Sequence, residues 1–243
     1  GREEIADLHQ QLAATPVTAN MAISTLSQIF NKAQIWGIVP EGINPCRHMP
    51  LYKRRKRERF LTVAEFARLG QVLEDALQIG GAMPQTVAAI RLLMLTGCRK
   101  REILTLRWAD VDVESRELRL RDSKVGPRVV PLSPSAIELL ASLPRVPGNE
   151  WVFPGQKSGT HLCSIDLAWR RLRARADLSD VRLHDLRHSF ASSALALGES
   201  LPTIQKLLGH RRISSTVRYA HLARATVHEA ANRVADSLAE DIL

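Results

Sequence analysis

Residues 117–132 read ELRLRDSKVGPRVVPL, and this stretch decides which class of fold the chain adopts. Apolar and charged side chains alternate over residues 117–121, which is the two-residue period of a strand with one buried face. Residues 123–126 supply turn residues, and residues 128–132 return as a second apolar strand. The pattern predicts an antiparallel β-hairpin, with residues 111–113 as a third strand beside it.

Helical periodicity predominates on both sides of this hairpin. Thr62 and Glu65 have the spacing of a capping box, in which hydroxyl and carboxylate cap each other's backbone amides, so a helix begins here. Ser133-Pro134 caps another helix. Residues 1–50 have a helical pattern, strongest over 18–36. Further helices are predicted over 62–78, 86–95, 100–108, 164–177, 185–197, 202–208 and 215–238, and a short strand at 151–154. The fold class is therefore mainly α with a small antiparallel β-sheet, an α+β fold.

The charge balance favours a polyanionic partner. Lys and Arg number 34 against 25 for Asp and Glu, a net charge of +9, and 27 of the 34 are arginines. The planar guanidinium matches phosphate oxygens in pairs. Two basic stretches are candidates for DNA contact, with a merely solvated surface as the alternative for each. They are the run Lys53, Arg54, Arg55, Lys56 and Arg57, and the helical pair Arg170 and Arg173.

Several classes of protein are disfavoured by the sequence. No apolar run reaches the roughly 18 residues of a membrane span, and the polar start GREEIADLHQ lacks the pattern of a signal peptide. Cys46, Cys98 and Cys163 have no spacing typical of a disulfide framework or a zinc site. A soluble intracellular protein is expected. The short helical region at 1–52 suggests that its N-terminal half is missing.

Unusual polar side chains occur at four places along the chain. Arg99 and Glu102 follow Gly97 at a predicted helix start, where side chains three residues apart share one face. The other places are Lys124 at the hairpin tip, the group His184, Arg187 and His188, and the segment from His210 to Tyr219. Taken singly, Lys124 suits an ordinary turn and Tyr219 a core aromatic.

Together these side chains suit chemistry at a phosphodiester. Arginines neutralise the charge that develops on the non-bridging oxygens. Tyrosine attacks phosphorus to form a covalent intermediate, and lysine or histidine protonates the leaving 5′-hydroxyl. With so many cations present, neither a metal ion nor another cofactor is required.

Five motifs, in order along the chain, resemble those of the tyrosine recombinases, the phage-integrase family. They are TGCRKRE at 96–102, Ser-Lys124 in the hairpin, HDLRHSF at 184–190, LLGH at 207–210 and YAHL at 219–222. His210 lies 23 residues after Arg187, and Tyr219 lies 9 residues after His210, as in the family. The resemblance covers about residues 60–230, and the ordered set is far more specific than any single motif.

The resemblance implies which side chains bind the reacting phosphate. Arg99 and Arg187 would hold the scissile phosphate. His184 and His210 would donate hydrogen bonds to its oxygens and assist proton movement. An active enzyme is expected, because none of the signature positions is missing.

The remaining roles also follow from the resemblance. Tyr219 would be the nucleophile that forms a 3′-phosphotyrosine, and Lys124 the general acid for the 5′-hydroxyl. Glu102 would be a supporting residue. His188 is expected to be a buried histidine with a structural hydrogen bond rather than a direct phosphate contact.

The resemblance implies an organisation for the whole chain as well. Residues 1–52 would be the C-terminal part of a helical core-binding domain, 53–60 a basic linker and 61–243 the catalytic domain, the two domains clamping double-stranded DNA. The chain is expected to form a homotetramer on DNA and to act with accessory DNA-bending or directionality proteins. The expected location is the cytoplasm, in association with the nucleoid. The last helix would pack on a neighbouring subunit, or dock within its own, through a stripe of Val227, Ala231, Val234 and Leu238.

The biological outcome would be integration or excision of a mobile element or prophage, and three alternatives stay open. The pair His184 and His188 superficially matches a zinc-hydrolase motif, although Asp replaces the catalytic Glu. A type IB topoisomerase uses similar chemistry to relax DNA. A DNA-binding module that has lost catalysis would keep the same charge pattern.

Overall fold

The computed structural model describes residues 1–53, 58–121 and 126–223, together with 231–232, 235–236 and 239. The chain divides into two compact units, Gly1–Glu58 and Arg59–Leu243. Each unit has its own core.

The first unit contains two helices, α1 (Arg2–Gln11) and α2 (Pro16–Ile35). Pro16 begins α2 at a position where its missing amide hydrogen costs no helical bond. The helical prediction for residues 1–50 is wrong beyond α2, because Gly37 and Gly42 adopt positive φ angles and the chain turns repeatedly over 36–49. Asn20 closes the unit by donating to the Tyr52 carbonyl at 2.9 Å and accepting from the Tyr52 amide at 3.0 Å.

The second unit is mainly helical. Its helices are α3 (Val63–Gln78), α4 (Pro84–Thr96), α5 (Lys100–Leu104), α6 (Pro134–Ala141), α7 (Asp166–Arg175), α8 (Leu183–Ala196), α9 (Leu201–Leu208) and α10 (Ser214–Val217), with 3₁₀ turns at Trp108–Asp110 and Ala220–Ala223. The capping box that begins α3 is confirmed. Thr62 Oγ1 accepts from the Glu65 amide at 3.2 Å, and Glu65 Oε2 accepts from the Thr62 amide at 2.8 Å.

The predicted three-stranded sheet is confirmed. Its strands are β1 (Val111–Asp112), β2 (Glu117–Leu120) and β3 (Arg128–Pro131), antiparallel in the order β1-β2-β3. Leu118 lies opposite Val130 and Leu120 opposite Arg128. Leu118, Leu120 and Val130 are buried, so this face of the hairpin meets the core. The strand predicted at residues 151–154 is wrong, since that segment makes only isolated bridges.

Two predicted helices end earlier than the periodicity indicated. Helix α5 stops at Leu104 because the following backbone bonds to a distant segment: the Trp108 amide donates to the Glu150 carbonyl, and the Val152 amide to the Leu106 carbonyl, both at 2.9 Å. Helix α10 stops at Val217. The Tyr219 amide then donates to the Thr216 carbonyl at 2.9 Å, and this tighter turn interrupts the single helix predicted from residue 215.

Helix α4 lies at the centre of the second unit and packs against α3, α6 and α8. Its Val87, Ala89, Ile90 and Leu92 are fully buried in the main core. A smaller cluster of Ala191, Ala194, Leu195, Ile204 and Leu208 surrounds the Tyr219 side chain. Over the stretches that the structure describes, no helix has the length and apolar character needed to cross a membrane.

Candidate active site

Helix α8 positions three of the predicted residues, His184, Arg187 and His188, within its first two turns. The Arg187 side chain is 3% exposed, and its guanidinium donates to the Gly97 carbonyl at 2.8 Å and to the Leu208 carbonyl at 2.6 Å. These carbonyls lie at the C-terminal ends of α4 and α9, where backbone oxygens lack helical partners and the helix dipole is negative. Arg187 therefore joins three helix ends at one point.

Burial and the nearby charge of Arg99 lower the pKa of Arg187 to about 10. The guanidinium stays positively charged at neutral pH. A cation that is largely withdrawn from water and faces a second cation gains from binding an anion. The repulsion between the two cations therefore favours binding of a negatively charged phosphate.

Arg99 is oriented by Glu102, as the sequence spacing indicated. Glu102 Oε1 accepts from the Arg99 guanidinium at 2.8 Å, and Glu102 Oε2 accepts from the Arg99 amide at 2.9 Å. Glu102 is 7% exposed. Burial opposes its charge, but hydrogen bonds from Arg128 and Arg99 outweigh this effect and lower the pKa of Glu102.

The second cation on Glu102 is Arg128, which belongs to none of the sequence motifs that indicated the site. Its guanidinium donates to Glu102 Oε2 at 2.8 Å, to Cys98 Sγ at 3.4 Å and to the Leu207 carbonyl at 3.2 Å. A signal for it was present in the hairpin pattern. Arg128 lies opposite Leu120, on the face that alternation assigns to the core, so the hairpin pattern places a charge among apolar side chains.

His210 follows Gly209, which ends α9 with a φ angle of 61°. His210 Nδ1 lies 2.9 Å from Thr216 Oγ1, and its carbonyl accepts from Gln205 Nε2 at 3.0 Å. Burial and the charges of Arg187 and Arg99 lower the pKa of His210 to about 4. The imidazole is therefore neutral at neutral pH and is held in one orientation by Thr216.

Tyr219 lies in the turn between α10 and the following 3₁₀ turn, and its side chain is 1% exposed. Its hydroxyl is 2.6 Å from His188 Nδ1. The ring packs in the cluster defined above, with the Phe60 ring tilted against it at 6.3 Å between centroids. Burial raises the pKa of Tyr219. The hydroxyl therefore needs a base and a nearby positive charge before it can attack.

His188 is half-buried, and its hydrogen bond is to the hydroxyl of the candidate nucleophile Tyr219. Burial and the neighbouring His184 lower the pKa of His188 to about 4. The His184 ring lies edge-on to it at 4.8 Å between centroids. His184 is more exposed than His188, and partial burial of its ring together with the positive charge of Arg187 lowers the pKa of His184.

A cavity of about 350 Å³ opens beside these residues. Its lining includes Lys100, Asp166, Arg182, His184 and Arg187. Lys100 and Asp166 form an ion pair at 2.8 Å that bridges the N-terminal ends of α5 and α7. With three cations and one carboxylate, the cavity is suited to an anionic ligand.

Several predicted residues lie elsewhere or outside the described residues. Lys124, Arg54, Arg55, Lys56 and Arg57 are outside them, as are Val227, Val234 and Leu238 of the predicted C-terminal stripe. Lys53, Arg170 and Ala231 are exposed. Arg173 is half-buried and donates to the Val181 carbonyl at 2.5 Å, so its guanidinium supports the fold.

A zinc site has little support in this geometry. His188 Nδ1 is engaged with the Tyr219 hydroxyl. Within the ranges that the structure describes, no group of three or more His, Cys, Asp or Glu side chains is arranged to hold a metal ion.

The sequence model of the phage integrase family matches residues 59–226, which is nearly all of the described part of the second unit. The chain belongs to the phage integrase family. The match includes the five side chains assembled above, Arg99, His184, Arg187, His210 and Tyr219.

Curated relatives of this integrase-family chain are recombinases. Tyrosine recombinase XerD of Brucella melitensis biotype 1 is 33% identical over 237 residues, which cover 88% of this chain and 74% of that protein. Prophage integrase IntF of Escherichia coli K12 is 34% identical over 135 residues, which cover 53% of this chain and 28% of that protein. The chain thus spans about three quarters of the one relative and little more than a quarter of the other.

Solved integrase structures share the fold. The Tn1549 transposon integrase in complex with transposon right end DNA aligns with a TM-score of 0.73 at 18% identity, covering 95% of this chain and 85% of that one. A lambda integrase dimer bound to a COC′ core site aligns with a TM-score of 0.67 at 22% identity, covering 88% and 80%. Together with the family model, these comparisons place the chain among the tyrosine-type site-specific recombinases.

Proposed function

We propose that this protein breaks and rejoins double-stranded DNA at specific sites through a covalent bond between Tyr219 and a backbone phosphate. The observation that carries the proposal is the 2.6 Å contact between the Tyr219 hydroxyl and His188 Nδ1. This contact brings a buried tyrosine hydroxyl to α8, the helix that also supplies His184 and Arg187. The candidate nucleophile therefore contacts the helix that carries phosphate-binding groups.

In the cleavage step, the Tyr219 oxygen attacks phosphorus and forms a new P–O bond, while the bond from phosphorus to the 5′ oxygen breaks. His188 is neutral at neutral pH, so its Nδ1 accepts the phenolic proton as the attack proceeds. The product is a 3′-phosphotyrosine and a free 5′-hydroxyl. Attack by another 5′-hydroxyl reverses the step and rejoins the strand without an external energy source.

Charge on the non-bridging oxygens is stabilised by groups that are already in place. Arg99 and Arg187 bind these oxygens, and Glu102 and the two carbonyl partners keep the guanidinium planes fixed. Such preorganised donors stabilise a transition state without reorganisation during the reaction. His184 and His210 donate further hydrogen bonds to the phosphate.

The leaving 5′ oxygen needs a proton, and Lys124 is the proposed general acid. This assignment rests on the Ser-Lys motif of the hairpin between β2 and β3. Lysine suits the role because its ammonium group remains protonated at neutral pH until it meets the developing alkoxide.

DNA contact and assembly extend the proposal beyond the second unit. The basic run Lys53, Arg54, Arg55, Lys56 and Arg57 and the exposed Arg170 are proposed to bind backbone phosphates. Residues 1–52 would act as part of a core-binding domain, and residues 61–243 as the catalytic domain. A homotetramer on DNA is proposed, because a solved lambda integrase is a tetramer bound to a Holliday junction.

The proposed biological setting is integration or excision of a mobile element or prophage, in the cytoplasm and with accessory DNA-bending or directionality proteins. The relatives named as prophage and transposon integrases support this setting. A topoisomerase that relaxes DNA, or a binding module without catalysis, has no counterpart among the relatives cited above.

The proposal is tested by trapping the covalent intermediate. Nicked duplexes with randomised flanks lose a short 5′-hydroxyl fragment after cleavage, which prevents rejoining. The chain is incubated with them in EDTA, denatured, and assayed for protein–DNA adducts whose DNA is then sequenced. Tyr219→Phe is compared with Tyr52→Phe, since Tyr52 is the chain's other tyrosine.

We expect an adduct from the unaltered chain and from Tyr52→Phe, none from Tyr219→Phe, and a common sequence among the recovered DNAs. An adduct that persists in Tyr219→Phe would refute the assignment of the nucleophile. Loss of the adduct in EDTA would refute metal-independent chemistry.

A further inference from the structure

The Arg128 guanidinium connects three separate parts of the second unit. It is on β3 and donates to Glu102 on α5, to Cys98 before α5 and to the Leu207 carbonyl near the end of α9. The Arg128 side chain is 8% exposed and that of Glu102 is 4% exposed. A largely buried ion pair therefore links the hairpin to the segments that carry Arg99 and His210.

Gly209, the residue before His210, lies in close contact with the Arg128 side chain. A Cβ atom at Gly209 would lie 2.5 Å from Arg128 Cδ and 2.8 Å from Nη1, far inside van der Waals contact. Gly209 also has a φ angle of 61°, which disfavours other residues. The backbone just before His210 thus rests directly on the Arg128 side chain.

Stability alone does not explain an arginine at this position. Arg128 lies opposite the buried Leu120, on the core-facing side of the hairpin. A buried ion pair is often no more stabilising than apolar side chains of similar volume. Its Nε is buried without a hydrogen-bond partner among the described residues. The guanidinium is therefore not arranged to maximise its own bonding, which points to a role in the site.

We propose that Arg128 is a positioning residue that aligns Arg99, through Glu102, and His210, through the Leu207–Gly209 turn, on one scissile phosphate. Arg128 does not touch the phosphate itself. It fixes the carboxylate that holds the Arg99 guanidinium at 2.8 Å, and it supports the backbone from which His210 projects. This inference rests on the proposed function, since it assigns Arg99 and His210 to the phosphate.

The test separates positioning from stability by changing the charge of the substrate. Suicide duplexes carry either the normal phosphate or a neutral methylphosphonate at the cleaved position. The covalent adduct is followed in single turnover at saturating DNA for the unaltered chain, Arg128→Met, Arg128→Lys and Arg99→Ala. Arg119→Met is the matched control, because Arg119 is on neighbouring β2 but is 59% exposed and pairs with Asp112.

Arg128→Met is expected to slow adduct formation on the phosphate by about 100-fold, the typical effect of one misplaced oxyanion donor. On the methylphosphonate, which lacks the charge that Arg99 neutralises, the penalty should shrink to below about 10-fold, as for Arg99→Ala. Arg128→Lys keeps the charge but lacks the planar fork, so it should show the same dependence on substrate. Arg119→Met should react on both substrates like the unaltered chain.

Equal penalties on the two substrates, in both Arg128 variants, would overturn the inference and leave Arg128 as a packing residue. If Arg128→Met fails to fold, Arg128→Lys decides the question by the same comparison. A chain that forms no Tyr219-dependent adduct on the phosphate would instead overturn the proposed function, and the two failures are therefore distinguishable.

Discussion

Substitution of Gly209 by alanine should destabilise the second unit much more than the same substitution at another helix end. Gly198 and Gly209 follow α8 and α9, and their φ angles are 89° and 61°. Alanine in this left-handed region costs roughly 1–2 kcal/mol. A Cβ at Gly198 would meet nothing within 4 Å, whereas at Gly209 it would lie 2.5 Å from Arg128 Cδ.

The difference between the two variants can be worked out from the contacts of Arg128. To make room for a Cβ, the Arg128 side chain must move away from the Leu207 carbonyl at 3.2 Å and strain its 2.8 Å bond to Glu102. A hydrogen bond that involves a charged group contributes about 1.5–3 kcal/mol. Gly209→Ala should therefore cost about 3–5 kcal/mol, and Gly198→Ala only the backbone cost of about 1–2 kcal/mol.

Thermal and urea unfolding of both variants measure this difference. In a unit of this size, 1 kcal/mol corresponds to about 2–4 °C in Tm, so Gly209→Ala should melt about 10 °C below the unaltered chain. The double variant Gly209→Ala/Arg128→Met should lose less than the sum of the single variants, because the clash disappears with the arginine. Equal losses for Gly198→Ala and Gly209→Ala would refute the reasoning.

The two half-buried histidines predict a pH dependence of stability. The pKa values of His188 and His210 fall from 6.5 to about 4 on folding, so the unfolded chain binds more protons between these values. Stability should be fully present above pH 6.5 and should fall towards pH 4, by up to about 1.4 kcal/mol per pH unit for each group. Urea unfolding at pH 7, 6 and 5 checks this, and an unchanged slope in His210→Asn would contradict it. On α7, Arg170→Ala should weaken DNA binding and reduce its salt dependence by about one counterion. Arg173→Ala should instead lower Tm, because it loses the bond to the Val181 carbonyl. DNA-binding titrations at several salt concentrations and thermal unfolding of both variants check this. A lower salt dependence in Arg173→Ala, together with a lower Tm in Arg170→Ala, would show that the two roles are exchanged.

The hairpin and the helix starts could be predicted because their causes are local. Alternation over residues 117–121 requires only that one face of a strand be buried, and the pair Thr62 and Glu65 caps its own helix. Gly97 and Gly209 end helices because glycine adopts the left-handed conformation at little cost. The candidate residues of the site were recognisable for a different reason. The order and spacing of motifs are read directly from the sequence and do not require knowledge of the fold.

The failures have tertiary causes. Helix α5 ends early because the backbone of Leu106 and Trp108 bonds to residues 150–152. The sequence also did not indicate that the Arg173 guanidinium donates to the Val181 carbonyl, which is eight residues away on the next loop. Arg128 was not predicted as a site residue, because its neighbours in sequence do not indicate that its guanidinium bonds to Glu102 and to the Leu207 carbonyl.

By itself, the sequence determined the fold class, the boundaries of most helices and the set of side chains able to act on a phosphodiester, because periodicity, capping and residue chemistry act over a few positions. Only the tertiary structure decided how those side chains are held. Arg187 is fixed by carbonyls 90 and 21 residues away, and Tyr219 bonds a histidine 31 residues away. Such contacts depend on where separate helices end in space, and that is set by packing of the whole core rather than by any local pattern.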